Sequence, residues 1–412
     1  MKQYDLNTLG DTIRNGTAPV ILFGAGQYGK IALYALRKLE ISPTFFCDSD
    51  PKKYGTFIYG VKVISPDELS ALEPGSHIFI TCNYISPVVS IVRSLEFGNF
   101  YNCIALFEGT DFTGADIGMS ESQIALFSER HKVACTILDP SDSGRLIIRA
   151  MDLVITEACT MKCKDCSNLM QYYTAPKTSA PETVLRPFER LAKCVDIFNE
   201  IRVIGGEPFV NKRIHEIINA LVNYSNVEKI AVFTNATIVP QGANLDCLTH
   251  KKVYLDITNY GALSKNHDKL IETLKGKGVV YASHIPQYWT DSAKIEFKKK
   301  SHSELVKMFS RCCVNDVLTL LNGKLYRCPF SANAMNLMAI PQVAKDIVNL
   351  SNEDKSTEEI RSEIQDLYGD RPYISACAYC NGRDFTVPKV EPAIQTRIPL
   401  SLHTVESDND AF

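Results

Sequence analysis

Cys159-Thr160-Met161-Lys162-Cys163-Lys164-Asp165-Cys166 places three thiols at i, i+4 and i+7, directly after the apolar run Leu153-Val154-Ile155. Three thiolates on one metal centre leave a coordination position free, which is how a catalytic rather than a closed structural site is built. Leu146 to Thr156 reads as a buried strand. The thiols then sit on the loop after its C-terminal end, where reactive groups collect in barrel-like α/β folds. Further strands are expected at Arg202-Val203-Ile204, Lys229 to Phe233, Val253 to Ile257 and Gly278 to Ala282, alternating with helical patterns at 186–199, 212–223 and 264–275. This alternation predicts a partial (β/α)6 barrel of TIM type over residues 147–295.

Two strand ends carry chemistry. Ile204 runs into Gly205-Gly206-Glu207-Pro208, and Phe233 runs into Thr234-Asn235-Ala236. Adjacent glycines permit close approach of a ligand, and Glu207 offers a negative charge to a cation. With Cys-x3-Cys-x2-Cys, these stretches resemble the radical S-adenosylmethionine enzymes. The resemblance implies that Cys159, Cys163 and Cys166 hold a 4Fe-4S cluster whose unligated iron takes the amino and carboxylate groups of S-adenosylmethionine. Reduction by a donor such as flavodoxin or ferredoxin would then yield a 5'-deoxyadenosyl radical that takes hydrogen from a substrate.

By the same resemblance Gly205, Gly206, Glu207, Pro208, Thr234, Asn235 and Asp256 surround the cofactor. Asp165 stands where the family often has an aromatic residue, so adenine contact is expected from backbone or from Tyr172 and Tyr173. Ala236 replaces a usual glycine. Asp256, Tyr260 and His284 are candidate catalytic residues, with Trp289 also in reach of a substrate, although a histidine or tryptophan near a strand end more often serves packing. A three-cysteine zinc site with a distant fourth ligand shares the thiol spacing but does not require GlyGlyGluPro one strand later.

Beyond residue 296, Cys312-Cys313 precedes a strand Val317 to Leu321, a hairpin turn at Asn322-Gly323, a second strand Lys324 to Arg327, then Cys328, a helix over 357–367 and Cys377-Ala378-Tyr379-Cys380. Four separated thiols can enclose one cluster fully. The order resembles the twitch domain, the short relative of the SPASM domain that carries an auxiliary 4Fe-4S cluster in radical enzymes. By that comparison Cys328, Cys377 and Cys380 are ligands with one of the adjacent pair, Cys312 favoured over Cys313, and residues 296–398 form a small α+β iron-sulfur domain. A closed zinc site is the alternative.

The first 108 residues read differently. Val20 to Phe23 is a short apolar strand, followed by Gly24-Ala25-Gly26-Gln27-Tyr28-Gly29 and a helical pattern through Ile31, Leu33, Leu36 and Leu39. This is G-x-G-x-x-G between strand and helix, where glycines allow a tight turn and the helix N-terminus attracts phosphate. A second strand, Thr44 to Cys47, ends at Asp48, placed to meet a ribose hydroxyl. Strands at 61–63, 77–80 and 99–104 and a helix over 86–97 complete a Rossmann-like parallel sheet, which resembles nucleotide or nucleotide-sugar binding domains of glycan-tailoring proteins. Gly24, Gly26, Gly29 and Asp48 are its candidate ligand residues; a docking module without a ligand is the alternative. Residues 109–146, with a helix over 120–130 and the polar turn at 139–144, read as a connector. Residues 399–412 read as a disordered tail.

Composition narrows the function. The chain of 412 residues suggests two or three domains, and a net charge of -3 offers no basic field for nucleic acid or anionic lipid. No signal-type or membrane-spanning run is present, so a cytoplasmic protein is expected. Eight of the 14 cysteines fall in the three groups above. Cys47, Cys82, Cys103, Cys135, Cys194 and Cys247 read as buried small hydrophobes. The leading expectation is an oxidoreductase that takes hydrogen from a sugar or nucleotide-sugar, with net oxidation to a ketone or epimerisation. A ribosomal-peptide modifier and a non-catalytic iron-sulfur binding or assembly protein are the other readings.

Overall fold

In the computed structural model, which describes residues 4–82, 85–136, 145–369, 371–383 and 387–402, the chain divides into two units, Met1–Ser143 and Gly144–Phe412. The polar turn at 139–144 and the tail beyond 402 lie outside the described residues.

In the first unit, six strands, β1 (Val20–Phe23), β2 (Phe45–Cys47), β3 (Phe57–Ile58), β4 (Val61–Ile64), β5 (His77–Ile80) and β6 (Phe100–Tyr101), form one sheet in the order β3-β4-β2-β1-β5-β6. All pairings are parallel except β3 with β4. Without that antiparallel edge the parallel strands run 3-2-1-4-5, the order of doubly wound sheets, whose ligand crevice lies where the order reverses beside β1. Leu22, Phe46 and Phe79 pack on one face with Ile31, Ala32 and Ala35 of the helix Gln27–Lys38. Ile21, Ile78 and Ile80 pack on the other with Val88, Val89 and Val92 of the helix Ile85–Ser94. Burial on both faces is why these strands read as unbroken apolar runs. The strand expected over 99–104 is only Phe100–Tyr101, because Ile104–Glu108 turns helical, and the helix expected over 120–130 continues to Thr136.

The second unit holds β7 (Ile147–Ile148), β8 (Ala150–Thr156), β9 (Ile197–Gly205), β10 (Val227–Thr234), β11 (Val253–Thr258), β12 (Tyr281–His284), β13 (Trp289–Thr290), β14 (Val317–Leu321), β15 (Lys324–Tyr326), β16 (Ile347–Asn349) and β17 (Lys389–Val390). Its main sheet runs β12-β11-β10-β9-β8-β14-β15-β16, with β7 also on β9. Strands β8 to β12 are the expected barrel strands. The sixth parallel strand is β14, which joins β8 in parallel register from Val317 opposite Ala150, so the segment after residue 296 completes the barrel sheet. Asn322 and Gly323, at φ 49° and 75°, make the two-residue hairpin turn to β15.

Two element bounds differ from the sequence reading. The helix expected over 186–199 is Pro181–Cys194. Proline at its first turn fixes the start, and Phe198 N–H donates to the Asn226 carbonyl, drawing 197–199 into β9. Gly278, at φ 67°, turns the chain after the helix His267–Gly276, so the next strand begins at Tyr281 rather than Gly278.

Strand alternation divides the sheet's faces. Leu153, Val203, Val232 and Leu255 pack under helices through Phe188, Ile217 and Leu270. That leaves Asp152, Arg202, Phe233, Tyr254 and Asp256 on the inner face. Among the described residues no helix is long and apolar enough to cross a membrane.

Candidate functional site

The cysteine loop leaves β8 at Thr156. Met161, Cys163 and Ala393 form a small buried cluster against which Cys159, Cys166, Tyr260 and Trp289 pack. Residues 393–396 strap the loop: Lys164 N–H donates to Ile394 O, Thr396 N–H to Lys162 O, and Lys162 N–H to Gln395 Oε1 at 2.8 Å. That last bond fixes the amide's orientation, since a backbone N–H must face its oxygen. Gln395 Nε2 accordingly donates to Cys163 Sγ at 3.1 Å and to Ala393 O at 2.7 Å. Burial pushes the Cys159 thiol up to about 12 and Cys163 up to about 11, against hydrogen bonds from Met161 N–H and the Gln395 amide; neighbouring thiols add to both rises. Cys166 is also raised by burial, with Arg383 among the groups opposing it.

The GlyGlyGluPro turn lies against this loop. A Cβ on Gly205 would stand 2.1 Å from Thr156 O, and one on Gly206 2.2 Å from Ala158 O and 2.7 Å from Cys159 Cβ. The glycines therefore let the end of β9 meet the cysteine loop, a protein contact on the side where a ligand approach was expected. Glu207 is fully buried. Its carboxylate accepts from Thr234 Oγ1 at 2.9 and 3.0 Å, Asn235 N–H at 2.9 Å and Phe209 N–H at 3.2 Å. Burial raises its pKa to about 7 against those donors. Pro208 opens the short 3-10 turn Pro208–Val210. Asn235 continues the chain of contacts, donating to Thr160 Oγ1 at 3.2 Å and toward Cys159 Sγ at 3.6 Å. Ala236, at φ 58°, takes the left-handed conformation that a glycine would adopt freely.

Of the candidate catalytic residues, Asp256 and His284 face each other across β11 and β12 at 3.4 Å. The His284 side chain is 55% exposed, which leaves its ring open to a partner from outside. Tyr260, two residues after β11, packs against the cysteine loop, edge-on to Trp289 at 5.6 Å, with its pKa raised by burial and by the nearby thiols. Asp165 is buried. Tyr172 donates to Ala293 O at 3.3 Å, and Tyr173 donates to Asn333 Oδ1 at 2.9 Å and accepts from Asn336. Tyr173 is thus committed to a polar network away from the loop.

The second set of thiols lines one cavity. Cys312, Cys328, Cys377 and Cys380 surround it with Phe309, Phe330 and Arg383, and Cys313 does not. Cys313 is exposed as a residue, but burial of its sulfur raises its pKa, opposed by Arg383 and Arg202 and aided by Asp316. Cys328 caps the helix Pro329–Asn336, its sulfur accepting from Ser331 N–H at 3.4 Å, and Cys380 Sγ accepts from Gly382 N–H at 3.2 Å. Among the described residues no group of three or more His, Cys, Asp or Glu side chains is spaced to hold a single metal ion.

In the first unit the candidate ligand residues meet at one turn. Gly24, at φ 127°, would place a Cβ 2.3 Å from Thr81 O, and Gly29 one 2.2 Å from Gly24 O; a Cβ on Gly26 would meet nothing within 4 Å. Asp48 accepts from Ala25 N–H at 2.8 Å, Asp50 N–H at 2.9 Å and Lys53 Nζ at 2.8 Å. Gly26 is therefore the open point of the turn.

Sequence reasoning missed Gln395, Arg383 and the inner-face pair Asp152 and Arg202, joined at 2.6 Å. Charges inside apolar strands were the legible signal for the pair. Gln395 lies more than 200 positions from its partner and carried no signal.

No family model matches the chain. It is 28% identical over 133 residues to a GTP 3',8-cyclase of Clostridium acetobutylicum, covering 29% of this chain and 42% of the relative. It is 32% identical over 111 residues to one of Campylobacter lari, covering 25% and 32%. The chain thus spans less than half the length of these relatives. Among solved structures, BtrN in complex with AdoMet and 2-DOIA matches 58% of this chain and 94% of its own at 15% identity, with a TM-score of 0.40, too low to carry an argument. The thiol loop and the likeness to the GTP 3',8-cyclases together support the resemblance of this chain to the radical S-adenosylmethionine enzymes.

Proposed function

We propose that the chain is a radical S-adenosylmethionine oxidoreductase acting on a small polar molecule, a sugar or nucleotide-sugar in first place. The observation that carries this reading is the joining of Cys159, Cys163 and Cys166 to the GlyGlyGluPro and ThrAsnAla turns through Glu207 and Asn235. A 4Fe-4S cluster with S-adenosylmethionine would supply the radical that takes hydrogen from substrate carbon. The chain's own residues do the rest. Cys159, Cys163 and Cys166 hold the cluster, and Tyr260 and Trp289 wall the loop. On the inner face, Asp256 orients His284, and the imidazole accepts the hydroxyl proton when an alcohol becomes a ketone.

Cys312, Cys328, Cys377 and Cys380 would hold an auxiliary cluster able to accept the remaining electron, with Cys313 free. In the first unit, Gly26 and the N-terminus of the helix Gln27–Lys38 form the point where a nucleotide phosphate would approach. The name of the GTP 3',8-cyclases gives a second reading, a purine nucleotide as the substrate itself.

Anaerobic reconstitution tests the proposal. About eight irons per chain are expected for two filled clusters, with reductive formation of 5'-deoxyadenosine from S-adenosylmethionine. No cleavage despite full iron loading ends the enzymatic reading. In heavy water, deuterium on one carbon at an unaltered oxidation level would replace the dehydrogenase with an epimerase.

A further inference from the structure

Gly382, at φ 79°, reverses the chain two residues after Cys380 and brings Arg383 back over the thiols. Arg383 lines the four-cysteine cavity, its carbonyl accepts from Cys313 N–H at 3.0 Å, and its guanidinium donates to the carbonyl of Ser167, the residue after Cys166. One side chain thus spans from the auxiliary thiols to the cysteine loop. Among the described residues its buried Nε finds no partner, and an unsatisfied buried donor is costly. Sulfur of a neighbouring cluster is the acceptor chemistry this cavity offers. Lys300, by contrast, donates to the carbonyls of Cys377 and Cys380.

We propose that Arg383 is a positive charge shared by the two cluster sites, a positioning residue that raises both reduction potentials together. The inference rests on the two-cluster reading above. Adding an electron to a thiolate-ligated cluster makes it more negative, so a nearby cation favours the reduced form. A charge common to both sites shifts both potentials in the same direction.

Potentiometric titrations of the reconstituted full chain, each cluster followed by its paramagnetic resonance signal, test this. Arg383→Gln should move both midpoint potentials to more negative values, Arg383→Lys should leave both near the parent's, and Lys300→Met should lower the auxiliary potential alone. An iron-replete Arg383→Gln chain with either potential unmoved overturns the proposal, as does an Arg383→Lys chain in which either potential falls. If Arg383→Gln takes up no iron, Arg383→Lys decides by itself. A parent chain holding only about four irons fails earlier and differently, at the two-cluster reading.

Discussion

Replacing Glu207 by glutamine isolates one proton. In the folded chain burial holds its pKa near 7, against 4.5 for the free group. Between those values the folded state binds more protons than the unfolded state, so stability falls as pH rises. Glutamine does not titrate and removes this slope. From pH 5.5 to 8 the fold keeps the proton over about 1.5 pH units that the unfolded chain does not, which at about 1.4 kcal/mol per unit is about 2 kcal/mol. A fixed penalty accompanies it. The glutamine NH2 must face either Phe209 N–H or Asn235 N–H, whereas the Thr234 hydroxyl can rotate to accept. That mismatch is an offset independent of the titration. The variant's deficit relative to the parent should therefore be about 2 kcal/mol larger at pH 5.5 than at pH 8. Urea titrations of the reduced, cluster-free chain read this through Trp289, the single tryptophan, which packs against Tyr260 beside the loop. A stability difference that is flat across this range would refute the assignment of the raised pKa to a buried carboxyl.

Cys312→Ser should lower iron content by about one cluster's worth, about four per chain, whereas Cys313→Ser should keep the full amount; equal losses would break the assignment of Cys312 to the cavity. Gln395→Leu removes both the donor to Cys163 and the acceptor of Lys162 N–H, so hydrogen exchange of amides 160–166 should accelerate, with those of β10 unchanged. Gly206→Ala should prevent iron uptake because its Cβ meets backbone, while Gly26→Ala should cost less than about 0.5 kcal/mol and weaken nucleotide retention. His131 is buried with its pKa lowered to about 4 by desolvation. The unfolded chain protonates first as pH falls from 6.5, so first-unit stability should drop by about 3 kcal/mol toward pH 4. Exchange protection of β1 and β5 should show this loss in the parent and not in His131→Gln.

The elements with a local signature were legible. The Asn322-Gly323 hairpin, the Gly24 to Gly29 turn and the buried runs of β8, β10 and β11 each announce themselves within a few residues, because turn chemistry and double-sided burial are local demands. The partnership of β14 with β8 was not legible, since an apolar five-residue strand says nothing about which edge it joins. Glu207 shows the same division at the site. Its presence marked the cofactor turn, but its commitment to Thr234 and Asn235 depends on how two strand ends meet. Likewise Cys312 and Cys313 are equal in sequence, and only the bend before β14 puts one in the cavity and the other outside. The histidine between Cys103 and Cys135 gathers two of the cysteines read as isolated, with Nε2 3.0 Å from Cys103 N and 3.3 Å from Cys135 Sγ.

The strap from Gln395 onto Cys163 joins positions 232 residues apart. A ribosome that has just released the cysteine loop still has that length to translate before the amide which seals it exists. During that interval the three thiols are on a loop without its cover, and the strap can close only once residue 395 has been made.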